Sequence, residues 1–343
     1  MDRREFLVSA GVAALSVAGS AARAASPASE SKKSKKSVED TPVILEVAIS
    51  GTNSKKNNPL VPESAAEQIA EMDACFDAGA TIVHSHSNHP DPDPEKAAEF
   101  YRDTFGPIRK KHPHAILYAT ANFDPKVNNK TRTVWLPEVQ CGHHEILAKE
   151  GLANMVLLDT GVVPLAGYDD QGVGREDSFF WYGFRPGDTR FILDVCKRYG
   201  TGTSISVFEP GWMKNVLAMV KAGTLPRGSK LNLYFGPESY STMAPPIPEA
   251  LELYLKMMEG LDLKWSVGNI GGVSIMDTPL AQMALERGGS FRVGLEDWTS
   301  GPSNVDQLKR AKKLIDSVGR PVVTGAEAIE YLDIPFKATR PVA

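Results

Sequence analysis

Three observations make a (β/α)8 TIM barrel the predicted fold class of this sequence. Short apolar runs rich in β-branched residues alternate with longer amphipathic stretches from residue 43 onward. This alternation predicts a parallel sheet, and eight such runs are present, the number that closes a barrel. The alternative fold is a doubly wound open sheet. No GxGxxG motif follows the first run, which argues against the dinucleotide-binding form of that fold.

The predicted strands are separated by segments such as AAEQIAEMDACFDAG, in which Ala, Met and similar residues recur with the period of a helix. In chain order the strands are VILEVAIS (43–50), ATIVHSHS (80–87), AILYATA (115–121), MVLLDT (155–160), TSISVF (203–208), KLNLYFG (230–236), LKWSVG (263–268) and SFRVGLED (290–297). Barrel enzymes carry their chemistry at the C-terminal ends of the strands. Polar residues at those ends are therefore the first candidates for a functional site.

The overall composition is that of an ordinary globular protein. The chain has 343 residues, of which 42% are hydrophobic and 23% are charged, and its formal net charge is −4. Because no long basic face is visible, nucleic acid is not expected as a partner. Cys75, Cys141 and Cys196 show no CxxC spacing, so a disulfide framework is not expected, and which two of them could pair is not determined by the sequence.

The N-terminal segment has the features of an export signal. Arg3 and Arg4 precede an apolar run of small residues that is too short to span a bilayer and ends in ARA (22–24), so no stable membrane span is predicted. The arginine pair indicates the twin-arginine type and a periplasmic protein; a cytoplasmic location follows if the segment is a surface helix instead. The predicted organisation is a signal peptide (1–24), a disordered Ser/Lys-rich linker (25–42), a barrel domain (43–335) and a C-terminal tail (336–343).

The second predicted strand ends in a histidine pair. His84 and His86 are two residues apart, so in a strand their rings point to the same face, toward the barrel axis. Two neutral imidazoles suit a borderline metal such as zinc, which requires a third protein ligand and an open position for substrate. The pair therefore predicts a metal site only if another strand end supplies a carboxylate.

The eighth predicted strand, RVGLEDW, supplies two carboxylates. Glu296 and Asp297 are adjacent and would point to opposite faces of a regular strand, so one can bind metal while the other performs acid–base chemistry. Arg292 lies four residues before Glu296, on the same face, and an arginine near Asp297 would hold that carboxylate ionised. The alternative interpretation of this acidic pair is a helix N-terminal cap.

Other polar or aromatic segments are weaker candidates. The long stretch PLAGYDDQGVGREDSFFWYGFRPGDT (164–189) is predicted to be a lid over the barrel mouth or a subunit contact. His143, His144 and Glu145 are interpreted as surface and capping residues rather than as a second metal site. His89 is undecided between a substrate contact and a solvent-facing residue, and the glycine pair of NIGG fits either a tight turn or a phosphate contact.

Taken together, these motifs resemble the β-keto acid cleavage enzymes, whose best known activity is cleavage of 3-keto-5-aminohexanoate. The resemblance covers most of residues 43–332, and the combination of HxH with a late RVGLED is its most specific part. The segments that carry it are ILEVAISGTNSKKNNPLVPES, AGATIVHSHS, AILYATA, WSVGNIGG, GGSFRVGLEDW and GRPVVTGAEAIEYL.

The resemblance implies a barrel enzyme in which zinc is held by His84, His86 and Glu296. It assigns proton abstraction from the keto acid to a dyad of Asp297 and Arg292. Substrate contacts are implied for Thr120 and for Asn53, which lies two residues after the first-strand glycine Gly51. The implied reaction transfers an acyl group between a small β-keto acid and acetyl-CoA by a retro-Claisen step, and the implied assembly is a homo-oligomer, often a tetramer.

The chain departs from the family pattern in ways that affect the substrate. Asn53 replaces an acidic residue of the aminohexanoate enzyme, and Ser204 and Ser206 fall where acidic residues are expected on strand five. An amino-keto acid is therefore disfavoured. Because acetyl-CoA is cytoplasmic, an exported enzyme would need another second substrate, so a CoA-independent metal-dependent lyase or hydrolase is an alternative. A second alternative is a non-catalytic exported barrel that binds a small carboxylate or a metal.

Overall fold

The computed structural model describes residues 37–87, 89–122 and 136–336. The predicted signal peptide, the linker before residue 37 and the tail after residue 336 lie outside these ranges, so their predicted roles stay predictions. Within these ranges, no helix has both the length and the hydropathy needed to cross a bilayer.

The strands in the described part of the chain form one parallel sheet and one hairpin. They are β1 (Glu46–Ala48), β2 (Ile82–Ser85), β3 (Ile116–Ala119), β4 (Met155–Asp159), β5 (Val162–Leu165), β6 (Phe180–Gly183), β7 (Gly202–Val207), β8 (Ser229–Phe235), β9 (Lys264–Asn269) and β10 (Ser290–Val293). The sheet order is β3-β2-β1-β10-β9-β8-β7-β4, all parallel, and the two end strands β3 and β4 contact each other. This confirms the predicted (β/α)8 barrel.

The helices alternate with the barrel strands. They are α1 (Ala65–Asp77), α2 (Pro94–Lys111), α3 (Pro137–Lys149), α4 (Pro186–Tyr199), α5 (Pro210–Ala222), α6 (Pro248–Met257), α7 (Pro279–Glu286), α8 (Asn304–Ser317) and α9 (Gly325–Leu332). Many begin at proline, which lacks the amide hydrogen that a first helical turn would leave unpaired. Helix α1 instead begins with a capping box, in which Ser64 and Glu67 each accept a backbone amide of the other.

The hydrophobic core lies mainly between the barrel and its helices. Fully buried apolar side chains such as Phe105 of α2, Met213 of α5 and Leu308 of α8 form this layer. The barrel interior contains polar side chains as well. Glu46 of β1, for example, contacts Lys230 of β8 across the interior. Buried polar groups of this kind are compatible with a stable fold only if each has a hydrogen-bond or ion-pair partner.

Two segments differ from the sequence prediction. The predicted eighth strand over 290–297 ends at Val293, because Gly294 has φ 133°, and a Cβ there would lie 2.1 Å from the Ala48 carbonyl oxygen. The long loop after β4 contains the antiparallel hairpin β5–β6, in which Val163 pairs with Tyr182. This hairpin lies at the C-terminal end of β4, where barrel enzymes bind their substrates.

Candidate metal centre and active site

His84, His86 and Glu296 converge at the C-terminal end of the barrel. Strand β1 pairs with β2 on one side and with β10 on the other, which brings the histidine pair and the end of β10 together. Glu296 Oε2 lies 3.4 Å from His84 Nε2 and 3.3 Å from His86 Nε2. The two Nε2 atoms are 3.0 Å apart. The sequence prediction that a carboxylate from the eighth strand joins the pair agrees with this geometry.

Two of these three atoms, His84 Nε2 and Glu296 Oε2, are acceptors that carry no hydrogen. His84 Nδ1 lies 3.2 Å from the Tyr118 carbonyl oxygen, which can only accept, so Nδ1 carries the hydrogen and Nε2 carries a lone pair. Burial lowers the pKa of His84 to about 3, which keeps this ring neutral. Apart from its approach to the imidazoles, the buried Glu296 Oε2 has no hydrogen-bond partner among the described residues. A divalent cation would relieve this crowding of acceptors.

The donor set fits a tetrahedral divalent metal with an open position. Two imidazole nitrogens and one carboxylate oxygen are the ligand types of catalytic zinc sites, and all three atoms lie within 4.8 Å of one another. A second possible cation cluster in the described ranges comprises Asp73, Asp77 and His112 on the surface. There, Lys111 Nζ already lies 2.6 Å from Asp73 and 3.7 Å from Asp77. The lysine ammonium thus already neutralises part of the negative charge of this cluster.

Arg292 joins the metal site to a second carboxylate. Its Nη2 atom lies 2.8 Å from Glu296 Oε1 and 2.7 Å from Asp297 Oδ1, and its Nε donates to both oxygens of Asp297 at 3.0–3.1 Å. The expectation that Glu296 and Asp297 point to opposite faces is wrong. Beyond β10 the chain turns, with the amides of Asp297 and Trp298 donating to the Gly294 carbonyl, so both carboxylates reach one guanidinium.

Burial and charge act in opposite directions on these carboxyl groups. Burial raises the pKa of Glu296, but the charge of Arg292 outweighs it and holds the pKa well below its usual range. Burial raises the pKa of Asp297 to about 6, although Arg292 acts to lower it. Asp297 is 3% exposed and lies behind Arg292, so the guanidinium is the member of the pair that faces the cavity.

A buried polar network supports Arg292 from the barrel interior. Lys230 Nζ donates to Glu46 at 2.6 Å, to Asn232 at 2.5 Å and to Ser266 at 2.7 Å. Tyr118 donates its hydroxyl hydrogen to Glu46 at 2.5 Å and receives the Arg292 Nη1 hydrogen at 3.4 Å. These residues were not predicted as functional. The available signal was a charged residue inside each of two strongly apolar strands, VILEVAIS and KLNLYFG.

A cavity of about 440 Å³ opens above the metal site. Thr120 and Asn53, the two predicted substrate contacts, both line it, together with His84, His86 and Glu296. The Asn53 side-chain amide donates to the Leu295 carbonyl at 2.8 Å, which ties it to the turn after β10. The hairpin contributes Phe180 and Tyr182 to the cavity wall, which is consistent with the predicted lid.

The interpretation of His143 and His144 as surface residues is wrong. Both lie in α3 with 1% and 0% exposure. His143 Nε2 lies 2.7 Å from the Thr120 carbonyl oxygen and therefore donates to it. His143 also lines a cavity of about 60 Å³, together with His86 and His89. The helix carries these histidines inward because α3 packs against both α2 and α4.

The two serines of strand five, the glycine of NIGG and the three cysteines occupy different parts of the structure. Ser204 is buried in the interior network, where its hydroxyl accepts from Asn232 at 2.9 Å, whereas Ser206 lines the large cavity. Gly271 has φ 90°, and a Cβ there would meet the Tyr240 ring at 2.1 Å, so its glycine is explained by close packing in a turn. The three cysteines are buried and free.

Sequence comparison identifies the family to which this site belongs. The family model described as beta-keto acid cleavage enzyme matches residues 42–334, most of the chain. The chain is a member of the β-keto acid cleavage enzyme family. Members of this family are metal-dependent in general, which agrees with the convergence of His84, His86 and Glu296.

Characterised relatives in the β-keto acid cleavage enzyme family act on different keto acids. The chain is 27% identical over 311 residues to the 3-oxoadipate:acetyl-CoA acetyltransferase of Cupriavidus necator, covering 86% of this chain and 95% of that protein. It is 24% identical over 307 residues to the 3-keto-5-aminohexanoate cleavage enzyme of Acetoanaerobium sticklandii, covering 85% and 98%. The 3,5-dioxohexanoate:acetyl-CoA acetone transferase of Paraburkholderia graminis is 24% identical over 314 residues, covering 85% and 96%. Each of these three relatives is named for a reaction of a β-keto acid, which together with the family model supports an enzyme that acts on β-keto acids.

Solved structures support the fold of this family member. The apo structure of ObcA superposes with a TM-score of 0.59 at 14% identity, covering 81% of this chain and 66% of ObcA. The chain thus spans about two thirds of ObcA. At this level of identity the comparison supports the barrel fold and carries no statement about substrate.

Proposed function

We propose that this protein is a zinc-dependent β-keto acid cleavage enzyme that transfers an acyl group by a retro-Claisen reaction. The observation that carries the proposal is the position of Arg292, whose Nη2 atom contacts both the predicted metal ligand Glu296 and the predicted base Asp297. One guanidinium thereby joins a metal-binding triad to a proton acceptor at the floor of a cavity large enough for a small acid.

In the proposed mechanism His84, His86 and Glu296 hold the metal. A bound zinc ion would supply Lewis acidity toward the carboxylate and keto oxygens of the substrate. Arg292 relays the proton: as its guanidinium gives a hydrogen to the Asp297 carboxylate that it already contacts, it takes the proton from the carbon between those two groups. Arg292 is left in its charged form, and the proton is held by Asp297. Thr120 and Asn53, on the cavity wall, contact and orient the keto acid.

The carbon balance requires a second substrate. The carbanion left by proton removal attacks the thioester carbonyl of acetyl-CoA, and the CoA thiolate leaves. The thiolate then adds to the substrate ketone, and the bond between that carbon and the former carbanion carbon breaks. The products are acetoacetate and a new CoA ester, and the proton held by Asp297 returns to the acetoacetate carbon.

A form of this function that needs no CoA is the second candidate, and it is favoured by the predicted export signal. Arg3 and Arg4 with the following apolar run support export to the periplasm, where acetyl-CoA is not available. There, the same site would act on its keto acid as a lyase or hydrolase. We also propose a homo-oligomer, on the basis of the family resemblance.

Metal analysis tests the site assignment. Purified wild-type protein is expected to contain about one zinc per chain, and His86→Ala is expected to lose most of it. The matched control is His112→Ala in the surface cluster around Lys111, which is expected to keep the wild-type zinc content. Equal zinc in the wild type and in His86→Ala would contradict the assignment.

Turnover and location distinguish the two candidate functions. The protein is incubated with a panel of β-keto acids with and without acetyl-CoA, and cleavage products are measured by mass spectrometry. Strict dependence on acetyl-CoA contradicts the CoA-independent form, whereas turnover without CoA contradicts the acyl-transfer form. Cell fractionation of the native chain and of an Arg3→Lys/Arg4→Lys variant tests export, which should be lost in the variant.

A further inference from the structure

Away from the metal centre, the wall of the large cavity is mostly apolar and aromatic, with the hydroxyl groups of Ser178, Ser206 and Tyr240 among its lining. Leu157 of β4, Phe208 after β7 and Ile270 after β9 contribute to it from the barrel. The hairpin contributes Leu165 and Phe180. Burial of apolar substrate surface against such a wall stabilises a complex by about 25 cal/mol per Å². This part of the cavity therefore favours an apolar group.

The charged groups of the cavity are already engaged. Among the described residues that line it, the ionised side chains are Arg292 and Glu296, and both lie at the metal centre. The Nε and Nη2 atoms of Arg292 bind Asp297 and Glu296, and Nη1 faces Tyr118 and Glu46. No cationic side chain of this described wall is left to pair with a second substrate carboxylate.

Among the described residues that line or adjoin the cavity, an ammonium group on the substrate finds no free carboxylate either. Glu296 Oε1 already binds Arg292, and its Oε2 belongs to the metal triad. Asp159, at the end of β4, is fully buried rather than part of the cavity lining. Burial raises its pKa to about 7, against the opposing effect of the neighbouring Ser206 and Tyr182. Burial of an unpaired charge costs several kcal/mol, so charged substituents are disfavoured here.

We propose that the group beyond the ketone of the natural β-keto acid is uncharged and apolar, namely an alkyl or aryl chain. The inference rests on the proposed function, because it takes the metal centre as the site of the keto acid head. It narrows that function to a substrate class different from both an oxo-dicarboxylate and an amino-keto acid.

A matched substrate panel tests the inference on the zinc-loaded enzyme. The panel contains 3-oxooctanoate, 3-oxo-5-phenylpentanoate, 3-oxoadipate and 3-oxo-5-aminohexanoate, each assayed with and without acetyl-CoA. We expect kcat/KM for the two apolar acids to exceed that for the two charged acids by about tenfold or more. A charged acid that equals or exceeds the apolar acids overturns the inference.

A lysine introduced into the apolar wall should shift the substrate preference toward a dicarboxylate. Ile270→Lys introduces a cation into the apolar wall, and it is expected to raise kcat/KM for 3-oxoadipate relative to 3-oxooctanoate by about tenfold or more. The control is Leu253→Lys on α6, a side chain that is 49% exposed and does not line the cavity, and it should keep the wild-type ratio. An unchanged ratio in Ile270→Lys contradicts the inference.

A binding measurement separates failure of the inference from failure of the proposed function. If no keto acid is turned over, the proposed function fails. The substrate class is then judged by the melting temperature of the zinc-loaded protein with 4-phenylbutanoate or with adipate. A larger increase with 4-phenylbutanoate supports the apolar class, and an equal or smaller increase overturns it.

Discussion

Lys230 Nζ lies 2.6 Å from Glu46 Oε2 in the barrel interior, and neither side chain has exposed surface. Lys230 has three acceptors for its three hydrogens, so the ion pair is fully satisfied. Although burial raises the pKa of Glu46, Lys230 and Arg292 outweigh it and hold that pKa below its usual value. Glu46 also lies 3.6 Å from Arg292 Nη1, so the pair supports the arginine of the candidate site from below.

Removal of the lysine alone should therefore be costly. Lys230→Met leaves Glu46 buried without its main partner, and the free energy of unfolding is expected to fall by about 3–5 kcal/mol in denaturant titration. The double variant Glu46→Gln/Lys230→Met should recover part of this loss. Lys256→Met, which breaks an exposed pair with Glu259, serves as the control and should cost less than about 1 kcal/mol. Equal losses in the two lysine variants would contradict a structural role for the interior pair.

Gly51 controls the position of the Glu296 side chain. It has φ 59°, and a Cβ there would lie 2.6 Å from Glu296 Cγ. Gly51→Ala is expected to displace the carboxylate and weaken zinc binding by about 10–100-fold, as measured by competition with a chelating dye. Gly223→Ala is the matched control, because Gly223 has φ 67° but open space around it. Gly223→Ala should have similar backbone strain but wild-type zinc affinity. Equal zinc affinities in the two variants would contradict the claim that a Cβ at Gly51 displaces Glu296.

Asp297 should be required for turnover and dispensable for metal binding. Asp297→Asn keeps the shape of the side chain but removes the proton acceptor, so kcat is expected to fall by about 10²–10⁴-fold. Zinc content should stay close to that of the wild type, because Asp297 lies behind Arg292 and is not one of the metal-binding triad. Asp262→Asn, at a side chain that is 93% exposed, is the control. Wild-type kcat in Asp297→Asn would exclude this residue as the base.

The buried histidines of α3 should make the fold sensitive to acid. Burial lowers the pKa of His143 to about 4 and that of His144 well below its usual value. In the unfolded chain histidines bind protons below about pH 6.5. The unfolded state therefore binds more protons between about pH 6.5 and pH 4, so the free energy of unfolding falls as the pH falls through this window.

His144→Leu tests this pH dependence. Neither ring nitrogen of His144 has a hydrogen-bond partner in the described ranges, so an apolar residue of similar size should be tolerated. Between pH 7 and pH 4.5 the variant is expected to lose about 2–3 kcal/mol less unfolding free energy than the wild type. His114→Leu, at an exposed position, should leave the pH dependence unchanged. A wild-type slope in His144→Leu would contradict the assignment.

The barrel and the metal ligands could be predicted because they depend on short-range patterns. Alternation of strands and helices predicts a parallel barrel, and the two-residue period of a strand puts His84 and His86 on one face. Glu296 follows from the same logic, since β10 lies one strand away from β2 across β1. These relations need only the strand order, which the chain order of a barrel provides.

The other features depend on contacts that a linear pattern does not contain. Glu296 and Asp297 share Arg292 because Gly294 ends the strand early, and the strand pattern alone predicted the opposite. Glu46 and Lys230 meet across the barrel interior, at a distance that only the closed barrel defines. His143 is buried because α3 packs against both α2 and α4, and the side chains of α3 that these helices cover include polar ones.

The buried charged side chains that extend from the barrel interior to Glu296 have a net charge that can be counted. Glu46, Glu296 and Asp297 supply three negative charges, and Arg292 and Lys230 supply two positive ones, so the protein alone contributes one net negative charge. An anionic acid would be repelled by that charge. A divalent ion reverses the sign to one net positive charge, which attracts a monoanion. Loading of the cation would thus precede capture of the acid, and the order of binding is set by the charges of the barrel interior.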